Sequence, residues 1–303
     1  MNRLATNLCG VSLQNPVLAA SGTFGYGVEF ESVADLNKIG GIVVKGLSRE
    51  PIAGNPAPRL WEAEAGMINS VGLQNIGARA FVEEKLPALR KFHTAIFANV
   101  FGYETGDYRE VVRMLEDGQG ISGYELNVSC PNTSHGGIHF SSDAALLDGL
   151  VRQVRPLTKR PLIVKLSPNV AHIEPLARAA EDAGADAISL VNTFVSLAID
   201  ARTRRSRIGA GFGGLSGPAI KPIALRMVYE ASRAVRLPVI GIGGIRNGVD
   251  AAEFLIAGAT AIEVGTANFW DPQAPAVIAR ELEDFLRAEN IASVSELVGT
   301  LKV

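Results

Sequence analysis

The 303-residue sequence predicts an α/β fold, a (β/α)8 TIM barrel with long active-site loops at its C-terminal face, on three observations. Short, β-branched apolar runs recur along the chain, each followed by a stretch with helical spacing of its apolar residues. Runs such as Ile42-Val43-Val44 and Leu162-Ile163-Val164 lack alternation, as expected of parallel strands covered on both faces. Polar or glycine residues then stand where the runs end. An open doubly wound sheet competes with this reading, because a count of strands does not by itself close a barrel. No low-complexity tract or linker interrupts residues 1–303, so one domain is expected.

The elements follow in order. Strand Pro16–Ala20 ends at Ser21 and precedes an amphipathic stretch, Phe30–Lys38. Gly41–Lys45 ends on a lysine and is followed by helix Ala78–Lys91. Ala95–Val100 carries Asn99 and leads to Tyr108–Glu116; Tyr124–Val128 carries Asn127 and leads to Asp143–Val154. Leu162–Leu166 carries Lys165 and precedes Ile173–Ala183. Ala187–Thr193 ends in Asn192-Thr193 and precedes Ala219–Val235. Val239–Gly243 runs into Gly244 and helix Gly248–Ala257, and Ala261–Gly265 runs into Thr266, with Pro275–Glu289 closing the series. Three connections are too long to be simple turns: Leu47–Gly77, Ser129–Ser142 and Phe194–Pro218. Long connections in compact domains usually serve as lids or binding loops, and all three leave C-terminal strand ends, where barrels do chemistry.

Composition narrows the function. A net charge of −2 leaves no basic footprint for nucleic acid. No apolar run approaches the roughly 20 residues of a membrane span, and Met1–Asn7 contains no leader-like apolar stretch. Cys9 and Cys130 are the only cysteines, which fits a reducing cytoplasm better than a disulfide framework. Two thiols are also too few for an iron–sulfur cluster, which takes about four. A cluster serving this protein would have to sit on another chain.

Strands that end in Lys or Asn make sense if those groups face a polar ligand, since burying each unpaired costs on the order of 1–3 kcal/mol. Any one of them could instead be a satisfied structural group; the recurrence argues against that. Gly241-Ile242-Gly243-Gly244 and Gly265-Thr266 expose backbone N–H groups after the last two strands, a recurrent phosphate site in barrels. They lie too late in the chain, and are too irregularly spaced, for a dinucleotide fingerprint. Lys45 and Lys165 admit three roles: Schiff-base nucleophile, partner of an anionic ligand, or structural ion pair. Asn127-Val128-Ser129-Cys130-Pro131-Asn132 places a thiol between carboxamides just beyond a strand end, which favours a reactive cysteine over an inert one. His135 and His139 in the same loop read as solvated, no metal site is expected, and Cys9 reads as structural.

The chain resembles the dihydroorotate dehydrogenases of the soluble, cysteine-dependent class along essentially its whole length. The resemblance rests on residues 20–25 (ASGTFG), 44–46 (VKG), 69–75 (NSVGLQN), 127–132 (NVSCPN), 164–166 (VKL) and 241–244 (GIGG). It implies FMN above the barrel, near Ser21, Lys45, Gly46, Asn99, Asn127 and Lys165, with Val191, Gly217, Gly243, Gly244, Gly265 and Thr266 completing its site. It implies that Lys45, Asn69, Ser70, Val71, Gly72, Leu73, Asn127, Asn192 and Thr193 hold dihydroorotate or orotate, with Asn132 joining them. Cys130 would then remove the C5 proton while the C6 hydride passes to FMN, yielding orotate for pyrimidine biosynthesis. Within the class the chain looks most like the catalytic subunit of the NAD-dependent (class 1B) type. That implies a partner electron-transfer subunit carrying FAD and an iron–sulfur cluster, in a heterotetramer of two catalytic and two electron-transfer chains. The alternatives are a self-sufficient, fumarate-linked dihydroorotate dehydrogenase, another dihydropyrimidine dehydrogenase, and a Schiff-base lyase using Lys45 or Lys165.

Overall fold

A computed structural model describes residues 2–128 and 138–302. Eight parallel strands close into a barrel in the order β3-β4-β7-β8-β9-β10-β15-β16, with β16 returning to β3. They are β3 (Val17–Ala19), β4 (Gly41–Val43), β7 (Ala95–Val100), β8 (Gly123–Asn127), β9 (Leu162–Lys165), β10 (Ala187–Leu190), β15 (Val239–Ile242) and β16 (Ala261–Val264). Closure excludes the open-sheet alternative. Helices α3 (Thr105–Glu116), α5 (Ala144–Val154), α6 (Glu174–Asp182), α7 (Lys221–Ala234), α8 (Gly248–Ala257) and α10 (Ala274–Ala288) pack their apolar stripes on the outside. Asp143 starts α5 by accepting from the N–H groups of Ala145 and Leu146, and Asn247 starts α8 through Asp250. Among the described residues no helix is long and apolar enough to cross a membrane.

Alternation along the strands stacks the barrel interior in layers. Leu18, Val43, Phe97, Ile163, Ala187, Ile240 and Ala261 form one apolar layer. Below it, the hairpin of β1 (Thr6–Leu8) and β2 (Val11–Leu13) inserts Leu8 and Leu13 as a plug. The hairpin turns at Cys9 and Gly10, both at positive φ. The Cys9 thiol donates to the Asp186 carbonyl at 3.2 Å, and burial, with the nearby Asp186 carboxylate, pushes its pKa up to about 11. Two residues further along the strands the interior turns polar, with Asn99, Glu125, Lys165, Ser189 and Glu263 all buried.

Three expectations need correction. The stretch Phe30–Lys38 is not an α-helix but two 3₁₀ turns, Val28–Phe30 and Leu36–Lys38; the Asp35 side chain takes the Asn37 N–H and so competes with a continuous helix. The stretch from Ala78 opens with α1 (Ala78–Ala80), widens to a π turn at Phe81–Lys85 and resumes as α2 (Leu86–Leu89), where Pro87 has no N–H to continue the ladder. The long segments before Gly77 and Pro218 are not plain loops. Strands β5 (Leu60–Ala63) and β6 (Gly66–Asn69) pair with β11 (Phe194–Ser196) and β14 (Gly213–Ser216) in one antiparallel sheet, β11-β14-β6-β5. A small hairpin, β12 (Ile199–Asp200) with β13 (Arg205–Ser206), projects from it. Two short helices, α4 (Ile138–Ser142) and α9 (Ala267–Trp270), complete the described elements that flank the mouth.

Candidate active site

The C-terminal strand ends and the antiparallel sheet enclose a cleft of about 1320 Å3, counting its open mouth. Around the barrel it is lined by Ser21, Lys45, Gly46, Asn99, Asn127 and Lys165. Val191, Asn192 and Thr193 follow from the end of β10, Gly243 and Gly244 from β15, and Gly265 and Thr266 from β16. The sheet and the turn after it contribute Asn69, Val71, Gly72 and Leu73 on one side and Gly217 on the other. Ser70 does not line the cleft. It is buried, and its hydroxyl accepts from Asn55 Nδ2 at 2.9 Å, because the residue after inward-facing Asn69 must face away. Cys130, Asn132 and His135 lie outside the described residues.

The two cleft lysines differ in electrostatic setting. Burial, and then repulsion from Arg59, lowers the pKa of Lys45 below that of a free lysine. No carboxylate among the described residues pairs with it, and Arg59 is itself spent on Gln74 Oε1 at 2.6 Å and the Ala53 carbonyl at 3.1 Å. A desolvated cation facing a cleft without a counter-ion is a receptor for an anion. Lys165 is the reverse case. Burial alone would lower its pKa, but Glu125 and Glu263, with carboxylate oxygens 3.5 and 3.3 Å from Nζ, raise it instead. Its ammonium is held protonated, which removes it as a Schiff-base nucleophile.

Carboxamides line the same cleft. Asn192 Nδ2 lies 3.5 Å from Asn127 Oδ1, Asn192 Oδ1 accepts from the Thr193 N–H at 2.8 Å, and Asn69 Nδ2 donates to the Gly214 carbonyl at 3.3 Å. Each carboxamide offers both donor and acceptor, as recognition of a ring with two amide edges requires. The Tyr108 hydroxyl, donating to the Asn127 carbonyl at 2.9 Å, fixes the strand end from which residues 129–137 depart.

Glycine serves two distinct purposes at the last strands. Gly243 and Gly244 sit at φ 133 and 77, and a Cβ on Gly243 would lie 2.7 Å from Ala224 on α7. Those two glycines are therefore demanded by the turn and helix packing as well as by any ligand. Gly265 has an ordinary φ, and a Cβ there would meet nothing nearer than Ala20 at 3.7 Å. The Thr266 hydroxyl beside it donates to Ser216 Oγ at 2.7 Å and ties the sheet to the barrel.

Sequence reasoning missed two groups. Leu60, Phe269 and Trp270 line the cleft yet are 42, 45 and 47% exposed, forming an apolar rim. Glu125, Ser189 and Glu263 lie beneath the floor, and alternation from the apolar layer would have found them: each stands two residues after an inward-facing position of its strand.

The dihydroorotate dehydrogenase family model matches residues 3–286. The chain is 72% identical over 300 residues to the putative dihydroorotate dehydrogenase A (fumarate) of Solibacter usitatus, covering 99% of both. It is 51% identical to the catalytic subunit of dihydroorotate dehydrogenase B (NAD(+)) of Geobacter sp. strain M21, over 99% of this chain and 98% of that one. A crystal structure of DHODH in complex with ferulenol from Eimeria tenella superposes with a TM-score of 0.80 at 23% identity, over 99% of this chain and 89% of that one.

Proposed function

The chain belongs to the dihydroorotate dehydrogenase family, and on that premise we propose how its cleft oxidises dihydroorotate to orotate. The observation that carries the reading is Lys45, a desolvated cation without a partner carboxylate among the described residues, lining the same cleft as several asparagine carboxamides. The substrate's carboxylate supplies the missing anion, and its two amide edges meet Asn69, Asn127 and Asn192. A dihydropyrimidine without a carboxylate would leave Lys45 unpaired, which disfavours the other dihydropyrimidine dehydrogenases.

The residues fit FMN. Asn99 Oδ1 is buried at the cleft wall without a hydrogen-bond partner among the described residues, an acceptor for a ring N–H, and Gly265 leaves the space of a side chain open beside Thr266. Bound FMN supplies the acceptor for the C6 hydride. In this reading Gly243, Gly244, Gly265 and Thr266 hold the phosphate, while Ser21, Gly46, Asn99, Val191 and Gly217 border the ring. Lys165 offers a fixed positive charge from below. Lys45 and the asparagines orient the substrate so that Cys130, on the loop after β8, takes the proton from C5.

The electrons then leave through a partner. The exposed rim of Leu60, Phe269 and Trp270 supports docking of an electron-transfer subunit at the mouth of the cleft, with NAD as final acceptor in the cytoplasm. The name carried by the 72% identical relative supports a second reading, in which the chain works alone and reduces fumarate. Steady-state oxidation of dihydroorotate by the purified, FMN-loaded chain separates the two. Turnover with an artificial dye but with neither NAD nor fumarate is expected; turnover with fumarate would establish the second reading, and no turnover with any acceptor would refute both.

A further inference from the structure

The polar layer beneath the cleft holds more negative charge than its one cation balances. Glu125 and Glu263 have fully buried side chains, and Lys165, between them, is 6% exposed. Glu125 is well supplied with donors: Asn99 Nδ2 at 2.6 Å, Ser189 Oγ at 2.7 Å and Lys165 Nζ at 3.5 Å. Glu263 is not. Its Oε2 lies 3.3 Å from Lys165 Nζ, and its Oε1 has no partner among the described residues. Two ionised carboxylates around one ammonium would seal a net negative charge inside the barrel, where solvation cannot repay it.

We propose that Glu263 is a neutral carboxylic acid flanking the same ammonium as the ionised Glu125, and that it acts as a positioning residue keeping Lys165 a singly compensated cation under the cleft. The acidities run the same way. Burial and then the Glu125 charge raise the pKa of Glu263 well above the carboxylate range, while for Glu125 burial is outweighed by Lys165 and by the Glu263, Ser189 and Asn99 hydrogen bonds, so its pKa is lowered. With one proton between them the three groups are neutral overall. Without it the floor would carry a negative charge against a flavin that itself gains negative charge on reduction; this consequence rests on the flavin placement proposed above, whereas the acid itself does not.

Infrared spectroscopy of the ligand-free chain tests the acid without any flavin. The wild type is expected to show the carbonyl stretch of a buried carboxylic acid, persisting from neutral to mildly alkaline pH. Glu263→Gln, which copies the acid's shape and neutrality, should lose that band and keep the wild-type melting temperature. Glu125→Gln should also lose it, because Glu263 then ionises to balance Lys165, and the double variant should melt below either single one. Absence of the band in the wild type, or its survival in Glu263→Gln, would overturn the proposal, and the wild-type spectrum decides even if a variant fails to fold. The flavin midpoint potential tests the role. At pH high enough to remove the acid band it should fall further with pH in the wild type than in Glu263→Gln; identical profiles there would overturn the role under the flavin while the spectrum still judged the acid.

Discussion

Lys45 carries a charge that burial makes costly and that no described carboxylate offsets, so its contribution to stability has a definite sign. Its folded pKa is lowered from the ordinary 10.5, so between the two values the folded chain binds fewer protons than the unfolded one. The ligand-free protein should therefore gain stability as pH rises through that window. Binding of a carboxylate substrate favours the ammonium and should weaken over the same window. Lys45→Met is expected to stabilise the ligand-free chain by on the order of 1 kcal/mol and to abolish measurable dihydroorotate binding; denaturant unfolding and ligand titration check the pair. Cys130→Ala should retain FMN yet slow flavin reduction by dihydroorotate by about 10²–10⁴-fold, read by anaerobic stopped flow. In the unsubstituted protein that rate should rise with pH as the thiol ionises. Lys45, Asn99, Asn127 and Lys165 were legible because charged or amide groups end apolar strands. Glu125 and Glu263 were not, because a carboxylate in mid-strand reads as an interruption until alternation assigns it to the interior.

At the scale of elements, the glycine-rich strand ends separate ligand space from backbone demand. Gly243→Ala places a Cβ at positive φ and against Ala224, so a stability loss of about 1–3 kcal/mol is expected whatever the ligand. Gly265→Val has no such conflict with the backbone and should keep the melting temperature within a few degrees while lowering FMN retention on gel filtration. Equal losses of FMN and stability in both variants would contradict this division. Thr266→Val should cost about 1 kcal/mol by releasing the sheet from the barrel through the lost Ser216 contact. The barrel strands were legible from uninterrupted apolar runs. The sheet over the mouth was not, because its strands are short and β14 begins with Gly213-Gly214, residues that read as a loop until pairing of Gly214 with Asn69 and of Leu215 with Ile68 supplies the ladder.

For the molecule as a whole, the barrel gathers distant residues at one mouth, and the mouth is apolar where a small-molecule enzyme could remain polar. Leu60, Phe269 and Trp270 together expose apolar surface that an electron-transfer partner would cover. Phe269→Ser with Trp270→Ser should leave dye-coupled oxidation within about two-fold while lowering NAD-coupled turnover in the assembled complex by tenfold or more, equivalent to about 1.4 kcal/mol of lost docking energy. Whole-molecule closure was foreseeable from eight strand–helix repeats; the exposed apolar rim was not, because exposure of a single Trp or Leu is set by packing across elements far apart in sequence. Lys45, with no carboxylate partner among the described residues, is proposed to select a carboxylate-bearing dihydropyrimidine. The most direct test of that claim is anaerobic mixing of the FMN-loaded chain with dihydroorotate or with dihydrouracil, following the flavin absorbance. Bleaching by dihydroorotate and none by dihydrouracil is the predicted result; equal bleaching by both, or none by dihydroorotate, would contradict it.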